Sequence, residues 1–185
     1  MTVHGRPLER QAVRASLIAV MTAACIASNY LLIGFTNIKF MDLIVFVSGC
    51  AFGPALGATV GILTWLVYGT LNPYGFSLPV LVATALGESL YGVTGGLIGA
   101  RGGLGEGTSA SFKFAIIGFL LTFIYDLATN IVSGLTAGIP IAVALVAGIP
   151  FALAHEASNA AFFFVGARPL IDAVDRLIPK GENND

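Results

Sequence analysis

The sequence predicts an all-α membrane protein, a bundle of six short transmembrane helices with both the N- and C-termini in the cytoplasm. Hydrophobic residues make up 56% of its 185 residues and charged residues only 10%, whereas soluble domains carry roughly 25% charged residues. Apolar runs separated by short links fill the chain, and spans of about 20 residues use up this length. No room is left for a soluble catalytic module, and the net charge of −1 favours no nucleic-acid partner.

The first predicted segment, residues 14–33, follows Arg6, Arg10 and Arg14. Basic residues before an apolar run resemble a secretory signal, but the run continues past Cys25, which favours a retained span. Small residues recur every four positions on this helix and form one stripe, which another helix can approach closely. The stripe consists of Ala15, Ala19, Ala23 and Ala27, and we call it the alanine stripe.

The second and third segments, residues 40–53 and 54–69, meet at Gly53-Pro54. The region can be one kinked helix or a hairpin, because proline disrupts a helix interior but suits a first turn. With six segments, eight of the nine Lys and Arg residues are cytoplasmic and only Lys39 is outside. With five, six of the nine are outside, so the positive-inside rule favours the hairpin. For the row Gly53, Gly57 and Gly61 we expect packing within the chain.

The fourth, fifth and sixth segments are predicted at residues 78–100, 113–137 and 141–167. Links 34–39, 70–77 and 138–140 then face outward, and the Gly-rich link 101–111 is a flexible inward connector. The six segments form one transmembrane domain, residues 1–169, followed by a charged cytoplasmic tail, residues 170–185, for which we expect a surface helix.

Ionisable side chains lie inside the last three spans, where each costs several kcal/mol unless it is paired or hydrated. These residues are Glu88, Asp126, His155 and Glu156. Helical spacing gives them neutral hydrogen-bonding neighbours on the same faces, namely Tyr91, Asn130 and Asn159. In the structural alternative, the polar groups only bond to one another. Three nearby carboxylates cannot all stay charged, so we expect a retained proton or a cationic or donor-rich ligand.

The outward links add amide and aromatic groups, which suit a flat heterocyclic solute. Together they form the predicted outer mouth of a binding site. The mouth comprises Asn29, Tyr30, Asn37, Asn72, Tyr74 and the deeper Tyr125, with Asp42 beside Lys39. The run Asn72-Pro73-Tyr74-Gly75 is equally typical of a turn.

With these features the chain resembles the substrate-binding subunits (S components) of energy-coupling factor (ECF) transporters, which take up vitamins. The resemblance rests on the alanine stripe, the hairpin sequence FGPALGATVG at residues 52–61, and YDLATN at residues 125–130. It covers nearly the whole chain.

The resemblance implies that the alanine stripe docks on a transmembrane coupling subunit, which joins two cytoplasmic ATPase subunits in the plasma membrane. The chain would be a multi-pass subunit that is not an enzyme, needs no cofactor or metal, and topples during transport. It has no phosphate-binding GxxxxGK[ST] motif.

The solute would bind near the outer face, enclosed by the first and third outward links and the fourth to sixth helices. The residues and the resemblance together predict a substrate site of Asn37, Asn72, Tyr74, Glu88, Tyr91, Tyr125, Asp126, Asn130, His155, Glu156 and Asn159. The acids at mid-depth suggest a ligand with amino or amidine donors, such as a thiamine-like or aminopyrimidine compound. Riboflavin, cobalamin, a queuosine precursor and other vitamins stay open.

Two other functions are alternatives. A rhomboid-like intramembrane protease would use Ser89 as nucleophile and His155 as base, but Leu90 replaces the glycine of a GxSG motif, and Glu88 would oppose an anionic intermediate. A small self-contained channel or carrier is the other alternative.

Overall fold

The computed structural model describes residues 7–73 and 75–177, and all regular structure in this part of the chain is helical. The helices are α1 (Pro7–Leu31), α2 (Met41–Phe52), α3 (Pro54–Leu71), α4 (Leu78–Ala100), α5 (Gly107–Ala137) and α6 (Ile141–Leu177). Five of the six are long and apolar enough to cross a bilayer, and α2, with 12 residues, is shorter. The chain is therefore a multi-pass helical membrane protein.

Gly53 separates α2 from α3, as the hairpin interpretation predicts. Its backbone has φ 94° and ψ 162°, a conformation that glycine adopts without steric cost. Pro54 follows at the start of α3, where its missing N–H group would have no helical partner in any case. The Gly53 N–H donates to the carbonyl of Gly49 at 2.8 Å, which closes the end of α2.

Helices α2, α3 and α4 approach each other at the level of the backbone. A Cβ atom on Gly49 would lie 2.0 Å from the carbonyl oxygen of Gly92, and one on Gly92 would lie 2.1 Å from the carbonyl carbon of Gly57. Glycine is thus needed where these helices cross. Of the predicted row, Gly57 and Gly61 pack inside the chain as expected, whereas Gly53 forms the turn and a Cβ there would meet nothing within 4 Å.

The core between α2, α5 and α6 is aromatic. Phe46 lies edge-on to Phe114 with ring centroids 5.9 Å apart, and its ring is 5.0 Å from that of Phe163. A Cβ atom on Gly118 would come within 2.5 Å of the Phe163 ring, so a small residue on α5 makes room for this ring. These contacts hold α5 and α6 together and position the polar residues that they carry.

Helix α6 continues beyond residue 167, where the sequence predicted its end, and passes through Pro169. Leu170, Ile171 and Val174 pack against the core. Burial of these side chains offsets the backbone hydrogen bond that proline removes. The first part of the predicted tail is therefore a continuation of α6 as far as Leu177.

Arg168 of α6 binds residues of the link that joins α4 to α5. Its guanidinium Nε donates to both carboxylate oxygens of Asp172, at 2.9 and 3.0 Å, and one Nη lies 3.4 Å from Glu106 Oε1. A second Nη donates to the carbonyl of Gly105. Since α5 begins at Gly107 rather than at residue 113, the link is shorter than predicted.

Helix α1 lies on the side of the bundle and packs against α2 and α3. Only 11% of an 18-residue apolar stretch of this helix is buried. Cys25 and Asn29 face inward and are buried, whereas all four alanines of the alanine stripe are exposed. The stripe therefore has no cover within the described chain.

Candidate functional site

One end of the bundle contains a cavity of about 640 Å³. Its walls come from the end of α1 and the link after it, the end of α3, the link before α4 and the start of α4, the second half of α5, and Phe151 of α6. This volume is in the range of pockets for small organic ligands. The polar lining side chains are Asn29, Thr36, Asn37, Lys39, Asn72, Ser77, Thr84, Asp126, Thr129, Asn130 and Ser133, together with the aromatic Trp65, Tyr68 and Tyr125.

The structure separates the predicted substrate-binding residues into two groups. Five line the cavity, namely Asn37, Asn72, Tyr125, Asp126 and Asn130. Five more are buried but are not among the lining residues, namely Glu88, Tyr91, His155, Glu156 and Asn159. Tyr74 lies outside the described residues. The lining uses the first and second outward links, and the third link, residues 138–140, contributes none of it.

Asn37 holds the first link against α6. Its backbone has φ 56°, a left-handed conformation that asparagine tolerates better than most residues. Its side-chain amide donates to the carbonyl of Phe151 at 2.9 Å. This contact joins two walls of the cavity that are far apart in the sequence.

Asn72 and Asn130 have local structural partners as well as a place in the cavity wall. The amide of Asn72 donates to the carbonyls of Tyr68 and Gly69 at 3.1 and 2.9 Å, and so caps the end of α3. Asn130 packs on Gly148, where a Cβ atom would lie 2.7 Å from its Oδ1 atom. The turn interpretation of Asn72 is thus compatible with its position in the wall.

Trp65, Tyr68 and Tyr125 form an aromatic wall. The rings of Trp65 and Tyr125 are 6.3 Å apart and inclined by 31°, and Tyr68 meets Trp65 edge-on at 5.6 Å. A Cβ atom on Gly87 would lie 2.7 Å from the Tyr125 ring, so the ring fits here because this residue has no side chain. Trp65 was not predicted as a site residue, because one indole in an apolar span forms no pattern that separates it from a core residue.

Lys39 lines the cavity. Asp42, which was predicted to lie beside Lys39 at the outer mouth, does not line it. The Lys39 ammonium lies 5.1 Å from the centre of the Trp65 ring and 4.9 Å from that of Tyr125. Asp42 is only 1% exposed, in the first turn of α2. The two residues therefore belong to different parts of the site, and Asp42 is a buried group rather than one at the mouth.

Below the cavity, His155 bridges two carboxylates on different helices. Its Nε2 atom lies 2.7 Å from Asp42 Oδ2, and its Nδ1 atom lies 3.0 and 3.1 Å from the two oxygens of Asp126. Both contacts are satisfied when each ring nitrogen carries a proton. Since Asp126 lines the cavity, the bridge connects the cavity floor to Asp42 in the buried interior.

Neutral groups extend this buried network. The amide of Asn159 donates to Asp42 Oδ2 and, at 2.7 Å, to the hydroxyl oxygen of Thr122. Tyr91 donates to the same Thr122 oxygen at 2.9 Å, and Thr122 donates to the Gly118 carbonyl at 2.7 Å. These bonds give partners to the Asn159 amide N–H and to the hydroxyl groups of Tyr91 and Thr122, as burial at this depth requires, whereas Asn159 Oδ1 has none in the described chain.

Glu88 lies on the side of the network that faces α3 and α4. The indole N–H of Trp65 donates to Glu88 Oε2 at 3.2 Å. Glu88 Oε1 and Asp42 Oδ1 have no hydrogen-bond partner in the described chain. Glu156 is buried too, but in the described chain it forms no hydrogen bond with these residues. Acids from separate helices therefore meet at His155, which joins Asp42 to Asp126, whereas the observed hydrogen bond of Glu88 is to Trp65.

The protease alternative requires Ser89 and His155 to meet. The Ser89 hydroxyl donates instead to the carbonyl of Leu86 at 2.6 Å, and both ring nitrogens of His155 face carboxylates. This arrangement leaves His155 no nitrogen to act as base for Ser89.

Comparisons of this chain with protein-family models, with curated proteins and with solved structures find no match. The features of the molecule that bear on its function are therefore the cavity, the network beneath it and the exposed face of α1.

Proposed function

We propose that the chain is the substrate-capture subunit (S component) of an ECF-type ABC uptake transporter, and that it binds a vitamin or vitamin precursor. The observation that carries this proposal is the cavity of about 640 Å³ with aromatic and amide walls at one end of a membrane bundle. Polar groups at membrane depth usually mark the path or site of a solute or ion. A buried network that reaches the cavity through Asp126 and Trp65 is the kind of support that keeps such a site rigid.

The distribution of basic residues supports an outward-facing cavity in the plasma membrane. Away from the cavity, the link after α4 contains Arg101, and the halves of α1, α5 and α6 that do not line the cavity contain Arg14, Lys113, Arg168 and Arg176. The positive-inside rule assigns that end to the cytoplasm. Both termini would then be cytoplasmic, and the cavity would receive its solute from outside the cell.

The exposed alanine stripe supports docking on a transmembrane coupling subunit. Small residues let a second helix pack closely in a bilayer, where apolar surface alone gives no driving force for association. In this proposal two cytoplasmic ATPase subunits supply the energy, and the chain itself binds solute without catalysing a reaction. The class of vitamin stays open in this proposal: a thiamine-like or aminopyrimidine ligand would place its amino groups near Asp126, and an acidic one would place its carboxylate near Lys39.

Mass spectrometry of the protein purified in mild detergent tests the proposal. We expect a vitamin-like molecule to co-purify with the protein and to rebind saturably after removal. Thr129→Trp places a large ring in the cavity wall, whereas Leu127→Trp places it on the opposite face of the same helix, where Leu127 is exposed and does not line the cavity. The first variant should lose the molecule and the second should retain it. Equal retention by both would contradict a receptor site in this cavity.

Reconstitution distinguishes the alternatives. Liposomes that contain only this chain should bind the solute without accumulating it, and Ser89→Ala should bind as the unaltered chain does. Accumulation by the chain alone would indicate a self-contained carrier. Peptide cleavage that Ser89→Ala abolishes would indicate a protease.

A further inference from the structure

Lys39 brings a positive charge into the cavity without a hydrogen-bonding partner. Its ammonium lies over the faces of Trp65 and Tyr125. Among the described residues it forms no hydrogen bond and no ion pair. Its charge acts on Asp42 and Glu88 only at longer range.

The aromatic contacts satisfy only part of what this ammonium can bind. A lysine ammonium has three N–H donors, and attraction to ring faces contributes about 0.5–2 kcal/mol without supplying an oxygen acceptor. No carboxylate of the described chain lies within ion-pair distance of this ammonium. Its N–H donors are therefore available to water or to an acidic solute inside the cavity.

Three further polar atoms in the cavity wall are buried and lack a partner in the described chain. They are the hydroxyl groups of Tyr125 and Ser77 and Oδ1 of Asn29. Tyr125 is 2% exposed and Asn29 is 4% exposed. Asn29 uses its amide N–H on the sulfur of Met41 at 2.7 Å, so its oxygen remains available. Leaving such groups unsatisfied costs about 1–3 kcal/mol each, and a bound solute with a donor and an acceptor would satisfy Asn29 and Tyr125.

We infer that the solute is a small carboxylic acid. Its carboxylate binds the ammonium of Lys39, which lies over the rings of Trp65 and Tyr125. Its neutral donor and acceptor groups face Asn29 and the Tyr125 hydroxyl. The inference rests on the proposed function, because it names the chemical class of the captured solute. A flat or cyclic body suits the remaining aromatic wall, where rings stack or meet edge-on.

The same geometry allows an opposing interpretation that the experiment must exclude. If Lys39 moved away, the faces of Trp65 and Tyr125 would attract a cationic ligand. While Lys39 stays in place, its charge repels such a ligand. Removal of the Lys39 charge should therefore weaken binding of an acid but strengthen binding of a cation.

The single tryptophan of the chain is Trp65, and it lies in the cavity wall. Its fluorescence in detergent solution reports directly on ligands that enter. We would titrate matched acids and amides: nicotinic acid with nicotinamide, biotin with biotinamide, and lipoic acid with lipoamide. Thiamine serves as the cationic probe. At least one acid should give a saturable change with a Kd at least tenfold lower than that of its amide.

Three variants test the role of Lys39. Lys39→Met keeps an apolar stem without the charge and should raise the Kd of the acid at least tenfold, to that of the amide. Lys39→Arg should restore most of the preference. Lys113→Met is the matched control, because Lys113 is exposed at the start of α5 and donates to Leu104 at 3.3 Å; it should bind as the unaltered protein does.

Two results would overturn the inference and leave the receptor function intact. One is binding of an amide, or of thiamine, at least as tightly as any acid. The other is a Kd for the acid that Lys39→Met does not change. If no probe of any charge alters Trp65 fluorescence and no small molecule co-purifies, the receptor function itself fails together with the inference.

Discussion

His155 Nε2 lies 2.7 Å from Asp42 Oδ2 and joins α6 to α2 across 113 positions of the sequence. The same ring contacts Asp126 of α5 at 3.0 Å. One imidazole thus holds three helices at the level of the cavity floor. Because Asp126 also lines the cavity, the stability of the bundle and the shape of the site depend on the same side chains.

Asp42→Ala should destabilise the protein by about 3 kcal/mol, because it removes one partner of a buried pair and leaves His155 and Asn159 without their acceptor. Equilibrium unfolding by SDS in mixed micelles measures the change. Asp172→Ala is the control, since it breaks the exposed pair with Arg168, and such surface pairs contribute little. An Asp42→Ala protein as stable as the control variant would show that the bridge does not hold the helices.

Gly92→Ala should also destabilise the bundle, for a steric reason. The added methyl group would lie 2.1 Å from the backbone of Gly57, so α3 and α4 must separate. Overpacking of this kind costs about 1–3 kcal/mol or more. The same SDS titration should detect the loss, which Gly34→Ala should not cause, because a Cβ atom at Gly34 meets nothing within 4 Å. Equal stabilities for the two variants would contradict the close packing of these helices.

The helices and the hairpin could be predicted from the sequence because their signals are local. Apolar runs, glycine and proline positions and the placement of basic residues define each segment. The end of α6 was missed, because Pro169 is a local sign of termination, whereas Ile171 and Val174 extend the helix through contacts with distant residues.

The candidate site could be predicted only in part. Asp126 and His155 were recognised as polar groups at membrane depth, and they do meet. Asp42 and Lys39 were placed together at the mouth, since they are three residues apart in the sequence. In the structure Lys39 lines the cavity and Asp42 is buried beneath it. This difference depends on the rotation of the first turn of α2 relative to the bundle, which a single sequence does not give.

Tyr125→Phe should keep or raise the stability of the empty protein, because it removes a buried hydroxyl group that has no partner in the described chain. If a solute bonds this hydroxyl, its loss should raise the Kd about 2–13-fold, the equivalent of about 0.5–1.5 kcal/mol for one hydrogen bond. Titration of the co-purified solute, followed by Trp65 fluorescence, gives this value.

Tyr91→Phe is the matched control for that experiment. The Tyr91 hydroxyl donates to Thr122 at 2.9 Å and lies in the buried network rather than in the cavity wall. This variant should lower stability and leave the Kd nearly unchanged. The reverse result, with binding lost in Tyr91→Phe and retained in Tyr125→Phe, would move the solute from the cavity into the network.

Ala19→Trp should abolish uptake by the assembled transporter while the isolated chain still binds its solute. Ala19 lies in the exposed alanine stripe, on the side of α1 away from α2 and α3, so a bulky ring there blocks a partner helix without entering the cavity. Ala161→Trp is the control, since Ala161 is exposed on α6 instead. Radiolabelled solute uptake in cells that express all subunits, together with binding in detergent, separates the two effects. Docking through the stripe requires uptake to fall in Ala19→Trp alone, and unchanged uptake in that variant would rule it out.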